Sequence, residues 1–176
     1  LLSGPPGTGK TAFARYLANS TDKNLIIKTG SSLMSKWIGE TEQNIASAFY
    51  EASQSKSILL IDEADSFLGN RQEANHRWES SMTNEFLVQM ESFNGILIAC
   101  TNLKKKLDSA VDRRFDFKIE LDFITAGQIQ RMFFSLLGNN EVEVSKLLKL
   151  VASNEFLPRI SFLKNIAPGD FKTVLR

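Results

Sequence analysis

The chain has almost no cysteine. Cys100 is the only one among 176 residues, which rules out an internal disulfide and fits a reducing, cytoplasmic compartment. It lies in an apolar, strand-like run, so it reads as a core thiol and not as a nucleophile. There is one histidine, His76, and with no Cys or His partner it makes a poor metal ligand. No apolar run approaches the roughly 20 residues of a membrane span, and no signal peptide is visible. Charge of one sign is missing too. Residues 1–124 hold 14 Lys/Arg against 16 Asp/Glu, the remainder 7 against 4, and the net charge is +1. That balance gives no reason to expect a nucleic-acid partner. Internal repeats, heptads and low-complexity tracts are absent.

What is present is globular. Hydrophobic residues make up 43% and charged residues 23%, and thirteen Phe against two Tyr suggest a well-filled core. The length suits one domain, or a domain with a small appendage. Strand signals at Leu25–Thr29, Ser57–Ile61, Gly95–Thr101 and Phe117–Leu121 alternate with helix signals at Thr41–Ser53 and Arg77–Ser92. Alternation predicts a parallel sheet with helices on both faces. The middle two strands are nearly continuous apolar runs, as strands buried on both faces should be. Thr41-Glu42-Gln43-Asn44 is expected to cap the first of those helices. From Thr125 the strand signals stop. Thr125-Ala126-Gly127-Gln128 has the form of a capping box, followed by amphipathic runs at Ile129–Leu137, Val142–Ala152 and Phe156–Ile166. Residues 125–176 therefore read as a helical appendage to a five-stranded core.

Gly4-Pro5-Pro6-Gly7-Thr8-Gly9-Lys10-Thr11 fits G-x-x-x-x-G-K-[ST], the phosphate-binding loop of nucleoside triphosphatases. Leu1-Leu2 before it reads as a strand end and Thr11–Asn19 after it as a helix, the setting the motif needs. Gly4, Gly7 and Gly9 let the backbone curl into positive φ, so that N–H groups form a nest for a polyanion beside a positive helix end. Lys10 would place a point charge on the β- and γ-phosphates, and the Thr11 hydroxyl is a hard oxygen ligand suited to Mg²⁺. Because the chain begins without Met and almost on this loop, a fragment of a longer protein is expected.

Ile58-Leu59-Leu60-Ile61-Asp62-Glu63 supplies the facing half of such a site. An apolar strand drives two carboxylates to its C-terminal end, where open α/β sheets bind ligands. Asp62 would hold Mg²⁺, and Glu63 would orient and deprotonate a water. Thr101-Asn102 ends the next strand, and the Asn102 amide can reach both a γ-phosphate and that water. Arg113-Arg114-Phe115-Asp116, read from the residues alone, is a solvated surface pair. Ser35-Lys36-Trp37-Ile38-Gly39-Glu40 puts an aromatic in a polar loop, either as a core plug or exposed for a purpose.

In this order and spacing the motifs resemble the AAA family of ATPases, the clade with katanin, spastin and the vacuolar-sorting ATPases. GPPGTGKT looks like Walker A, ILLIDEAD like Walker B, IACTN like sensor 1, KWIGETE like the first pore loop and RRFD like the arginine-finger segment. The resemblance implies a three-layer αβα P-loop core with a mostly parallel five-stranded sheet, its first strand cut short, over 1–124. It implies a helical lid over 125–176. It further implies a homo-oligomeric ring, usually a hexamer, that hydrolyses ATP with Mg²⁺ and threads a polypeptide past Lys36, Trp37, Ile38 and Gly39. Residues Gly4 to Thr11 and Asp62 would bind nucleotide and metal, Glu63 the water, and Asn102 the γ-phosphate. Arg114, with Arg113 beside it, would act on a neighbouring subunit. Gly69–Trp78 would be a second pore loop, and Gly169 would lie near the nucleotide. Two positions depart from the family pattern. Val111 stands where a second finger arginine is common, and Pro168-Gly169-Asp170-Phe171 replaces a Gly-Ala pair. Two other classes stay open: a nucleic-acid motor or loader, and a nucleotide-gated scaffold with little turnover. Asp62-Glu63-Ala64-Asp65 invites a helicase comparison, but that fold needs two tandem motor domains and this chain is too short.

Overall fold

A computed structural model describes residues 1–37, 39–66, 68, 77–103, 107–137 and 165–174. The chain divides into two compact units: Leu1–Gly4 with Lys10–Leu121, and Pro5–Gly9 with Asp122–Arg176.

The first unit is built on a five-stranded, all-parallel sheet. Its elements are β1 (Leu2–Ser3), α1 (Lys10–Ser20), β2 (Leu25–Thr29), α2 (Gly30–Leu33), α3 (Glu40–Gln54), β3 (Ile58–Asp62), a 3₁₀ turn (Ala64–Ser66), α4 (Arg77–Ser92), β4 (Leu97–Thr101), α5 (Ser109–Asp112) and β5 (Ile119–Glu120). The spatial order is β2-β3-β4-β1-β5. Strand alternation sorts the core into two layers. Leu59 and Ile61 of β3 and Ala99 of β4 pack with Ile45, Ala48 and Phe49 of α3 and Met82 and Phe86 of α4. Ile58, Leu60, Ile98 and Cys100 face the other way, onto Ala14 and Ala18 of α1. The three-layer αβα arrangement follows, and β3 is apolar throughout because both its faces are covered. Phe49 anchors the first layer, meeting Phe86 and Phe93 edge-on at 5.5 and 5.3 Å between ring centres.

Several expected boundaries shift for identifiable reasons. Asp62 belongs to β3, because it still pairs with Thr29. β5 is two residues long, not five: Ile119 and Glu120 pair with Leu2 and Ser3 of the short β1, while Phe117 and Leu121 make single flanking bonds to Leu1 and Ser3. The cap of α3 is Gly39 in the left-handed region at φ +82°, with no side-chain capping bond. Thr41 lies inside the first turn, and its hydroxyl accepts the Ser35 N–H at 2.9 Å. α4 has the expected bounds.

In the second unit the described residues form α6 (Ala126–Leu137) and α7 (Pro168–Val174). Ile129 and Phe171 pack together with Ile124, Met132 and Ile166. One half of the expected capping box forms at α6. The Thr125 N–H donates to Gln128 Oε1 at 2.8 Å, and the Thr125 hydroxyl donates to the same oxygen at 3.0 Å. The run Val142–Ala152 and most of Phe156–Ile166 lie outside the described residues. Among the described residues no helix is long and apolar enough to cross a membrane.

Candidate functional site

Parallel pairing brings the C-terminal ends of β1, β3 and β4 to one edge of the first unit. Ser3 is level with Thr101, and Ile61 with Ala99, so Gly4, Asp62, Glu63 and Asn102 converge there. Gly4 sits at φ +141°, and a Cβ on it would fall 1.8 Å from the Leu121 carbonyl oxygen. Glycine is the residue that permits this close passage beside the end of β5.

Lys10 opens α1 and is buried. Its ammonium donates to the Gly4 carbonyl and to Asn102 Oδ1, both at 2.7 Å. Desolvation lowers its pKa, while Cys100, Asp62 and Asp65 nearby push the other way. Thr11, one residue on, donates its hydroxyl to Asp62 Oδ2 at 2.8 Å. The other Asp62 oxygen accepts the Glu63 N–H at 3.0 Å. An ammonium, a hydroxyl and a carboxylate are thus preassembled along one edge. These are the donor types that a triphosphate and a hard cation require. The Thr11 hydroxyl and the Asp62 carboxylate are a hard-oxygen pair of the kind that suits a small divalent cation sharing its ligands with phosphate and water.

Glu63 lies in the left-handed region at φ +55°, unusual for a residue with a Cβ. The conformation is held from both sides. Its N–H is bound by Asp62, and its carbonyl accepts the Ser66 N–H at 3.1 Å and the Ser66 hydroxyl at 2.8 Å. The turn leaves the Glu63 side chain exposed at the edge and carries Asp65 back to β4. There Asp65 Oδ1 accepts the Thr101 hydroxyl at 2.7 Å and the Asn102 N–H at 3.2 Å.

The second unit holds the middle of the phosphate-loop motif. Gly7 and Gly9 have φ of +77° and +100°, and the Thr8 hydroxyl donates to the Pro5 carbonyl at 2.8 Å. The Gly169 N–H donates to the Gly7 carbonyl at 2.9 Å. A Cβ on Gly169 would lie 3.1 Å from Gly7 Cα, so a side chain there would crowd the loop by a few tenths of an ångström.

Arg114 is not a freely solvated arginine. Its Nε donates to Glu91 Oε1 at 2.7 Å and Nη2 binds the same oxygen, while Nη1 donates to the Ala110 carbonyl at 2.9 Å. Arg114 and Glu91 line a cavity of about 260 Å³ with Leu97, the first residue of β4. Leu97 and Thr101 are four residues apart in β4, about 13 Å at roughly 3.3 Å per residue. Arg114 therefore sits at the opposite sheet edge from Asp62 and Asn102. Arg113 is exposed. Trp37 is 77% exposed, which overturns a core-plug reading, and Lys36 beside it is exposed too. Ile38 and residues 69–76 lie outside the described residues, while Arg77 and Trp78 begin α4.

A family model for AAA, the ATPase family associated with various cellular activities, matches residues 1–123. The chain belongs to the AAA ATPase family. Curated relatives agree. The Arabidopsis thaliana protein SUPPRESSOR OF K(+) TRANSPORT GROWTH DEFECT 1 is 38% identical over 146 residues, 79% of this chain and 34% of that protein. Human vacuolar protein sorting-associated protein 4A is 38% identical over 146 residues, 79% and 33% of the respective chains. A probable spastin homolog of Brugia malayi is 36% identical over 145 residues, 78% and 32%. This AAA chain spans about a third of the length of those relatives.

Asp65 lies inside the Walker B-like run without a role of its own in the motif, and two contacts escape the motifs altogether: Gly30 against Ser66 and the Glu63 carbonyl, and Glu91 against Arg114. Asp65 follows Asp62 by three residues and could have been flagged by that spacing. Gly30 and Glu91 carry no signal in sequence, since their partners are distant along the chain.

Proposed function

We propose that this chain is the ATP-binding and ATP-hydrolysing module of a longer AAA protein that assembles into a ring, as a hexamer, and remodels polypeptide substrates. The observation that carries the reading is the preassembled edge. Lys10 is bridged between Gly4 and Asn102, and Thr11 is bonded to Asp62, beside an exposed Glu63. In this reading Lys10 exchanges the Gly4 and Asn102 oxygens for phosphate oxygens. The loop from Pro5 to Gly9 supplies backbone N–H groups, with Gly169 supporting Gly7. Thr11 and Asp62 would hold Mg²⁺, and the chemistry such an ion would supply is neutralisation of phosphate charge. Glu63 takes the proton of the attacking water, and Asn102 orients that water.

Arg114 is too far from its own Asp62 edge to serve it, and this favours action on a neighbouring subunit's nucleotide, with Arg113 adjacent. In that case it must first give up Glu91. The exposed Lys36-Trp37 pair before Gly39, with Ile38 between them in sequence, is assigned to gripping an extended polypeptide. A cytoplasmic setting belongs to the same proposal, resting on the single unpaired Cys100.

The test uses the full-length protein. Lys10→Ala should lose ATP binding. Glu63→Gln should bind ATP but not turn it over, and rings mixing Arg114→Ala with Glu63→Gln subunits should regain activity. Trp37→Ala should keep ATPase activity and lose substrate threading. Normal ATP affinity in Lys10→Ala would contradict the site assignment, and unchanged threading in Trp37→Ala would remove the pore-loop role.

A further inference from the structure

We infer that Asp65 is a positioning residue for ATP hydrolysis, clamping the backbone on both sides of Asn102 so that its amide is held at the γ-phosphate end of the site. The inference rests on the role given above to Asn102 and adds a residue to it.

Three bonds meet at one oxygen and one hydroxyl. Asp65 Oδ1 accepts the Asn102 N–H directly at 3.2 Å. The same oxygen accepts the Thr101 hydroxyl at 2.7 Å, and that hydroxyl in turn accepts the Leu103 N–H at 2.9 Å. The peptide units entering and leaving Asn102 are therefore both tied, one directly and one through Thr101. Thr101 is 1% exposed, so its hydroxyl has no water to replace Asp65. A buried hydroxyl left without a partner bears the full desolvation cost. The Asn102 backbone is thus held without use of its own side chain, whose Oδ1 accepts from Lys10 at 2.7 Å.

The link also runs in the other direction. Asp65 sits on the 3₁₀ turn that leaves β3 through Glu63, and the left-handed Glu63 backbone aims that turn at β4. One short segment thus carries the acid proposed to activate water and ties the backbone of Asn102. The carboxylate is suited to this because it only accepts, and here an N–H and an O–H converge on one of its oxygens. An amide in its place keeps an acceptor oxygen, whereas alanine removes it.

A purely structural acid would weaken nucleotide binding and turnover together. A positioning residue acts through Asn102 alone. In the full-length assembled protein, Asp65→Ala should lower kcat by about tenfold, the lower end of what losing an outer hydrogen-bond partner costs at metal sites. The Kd for a slowly hydrolysed ATP analogue should change less than twofold. Asp65→Asn should restore most of the turnover. In an Asn102→Ala background, Asp65→Ala should add less than twofold, because its route of action is already gone. Equal losses on both backgrounds, or a Kd that weakens in step with kcat, would overturn the proposal while leaving the role of Asn102 standing. An Asn102→Ala variant with normal turnover would remove both. If Asp65→Ala does not fold, Thr101→Val tests the same link: a several-fold fall in kcat at unchanged Kd supports it, and normal kcat overturns it.

Discussion

Gly30→Ala offers a test of how closely the acid-bearing turn is built. A Cβ on Gly30 would lie 1.9 Å from Ser66 Oγ and 2.6 Å from the Glu63 carbonyl oxygen. The serine can rotate away, but the carbonyl is backbone and must move by nearly 1 Å to reach ordinary contact. Overpacking of this kind costs about 1–3 kcal/mol. Loss of glycine's freedom in the unfolded chain offsets about 0.4–1 kcal/mol of that. A net loss of about 1–2 kcal/mol is expected, a fall in Tm of several degrees for a unit of this size. The functional effect should be larger, because the displaced atom belongs to Glu63, the residue proposed above to activate the water. A misplacement of about 1 Å at a reacting group can cost about a hundredfold in rate. Full-length protein should be assayed for ATP turnover, nucleotide affinity and thermal unfolding. Turnover should drop far more than affinity, and adding Ser66→Ala should recover only part of it. Unchanged turnover and Tm, or full recovery with Ser66→Ala, would refute the argument that the Glu63 backbone is packed directly on Gly30.

Phe86→Ala should destabilise the protein by about 3–5 kcal/mol, since the ring is fully buried against Phe49; urea unfolding checks this, and a loss below about 1 kcal/mol would contradict the packing. Burial, with Asp62 nearby, pushes the Cys100 thiol up to about 12 from 9.0, so native protein should not react with a thiol reagent at pH 8 and urea-unfolded protein should. The folded pKa is the raised one, so this contribution to stability is complete below about pH 9 and is lost as pH climbs toward 12; Cys100→Ala should show a shallower decline over that range. Glu91→Ala should change stability by less than about 1 kcal/mol, because its pair with Arg114 is 27% and 57% exposed. Urea midpoints at low and high salt test it, and a loss of 2 kcal/mol would mean that Arg114 is a structural anchor and not a releasable one.

The primary sequence was enough to indicate an α/β chain with a phosphate loop, because the relevant signals are local. The apolar run Ile58–Ile61 announces a doubly covered strand, Gly4, Gly7 and Gly9 announce positive φ, and Asp62-Glu63 stand where a buried strand must end. Those features depend on neighbours within a few residues. The sequence could not place Arg114 at the far edge from Asp62, pair it with Glu91, or join Asp65 to Thr101, because each depends on how strands order themselves in space. It also misjudged the cap of α3, where Thr41 turned its hydroxyl to Ser35 and left Gly39 at the helix start. Strand order, and with it the distance from Lys10 to Asn102 across 92 positions of chain, was settled by tertiary packing. Burial of the two apolar faces of β3 and β4 against α1, α3 and α4 is what brings those remote residues to one edge.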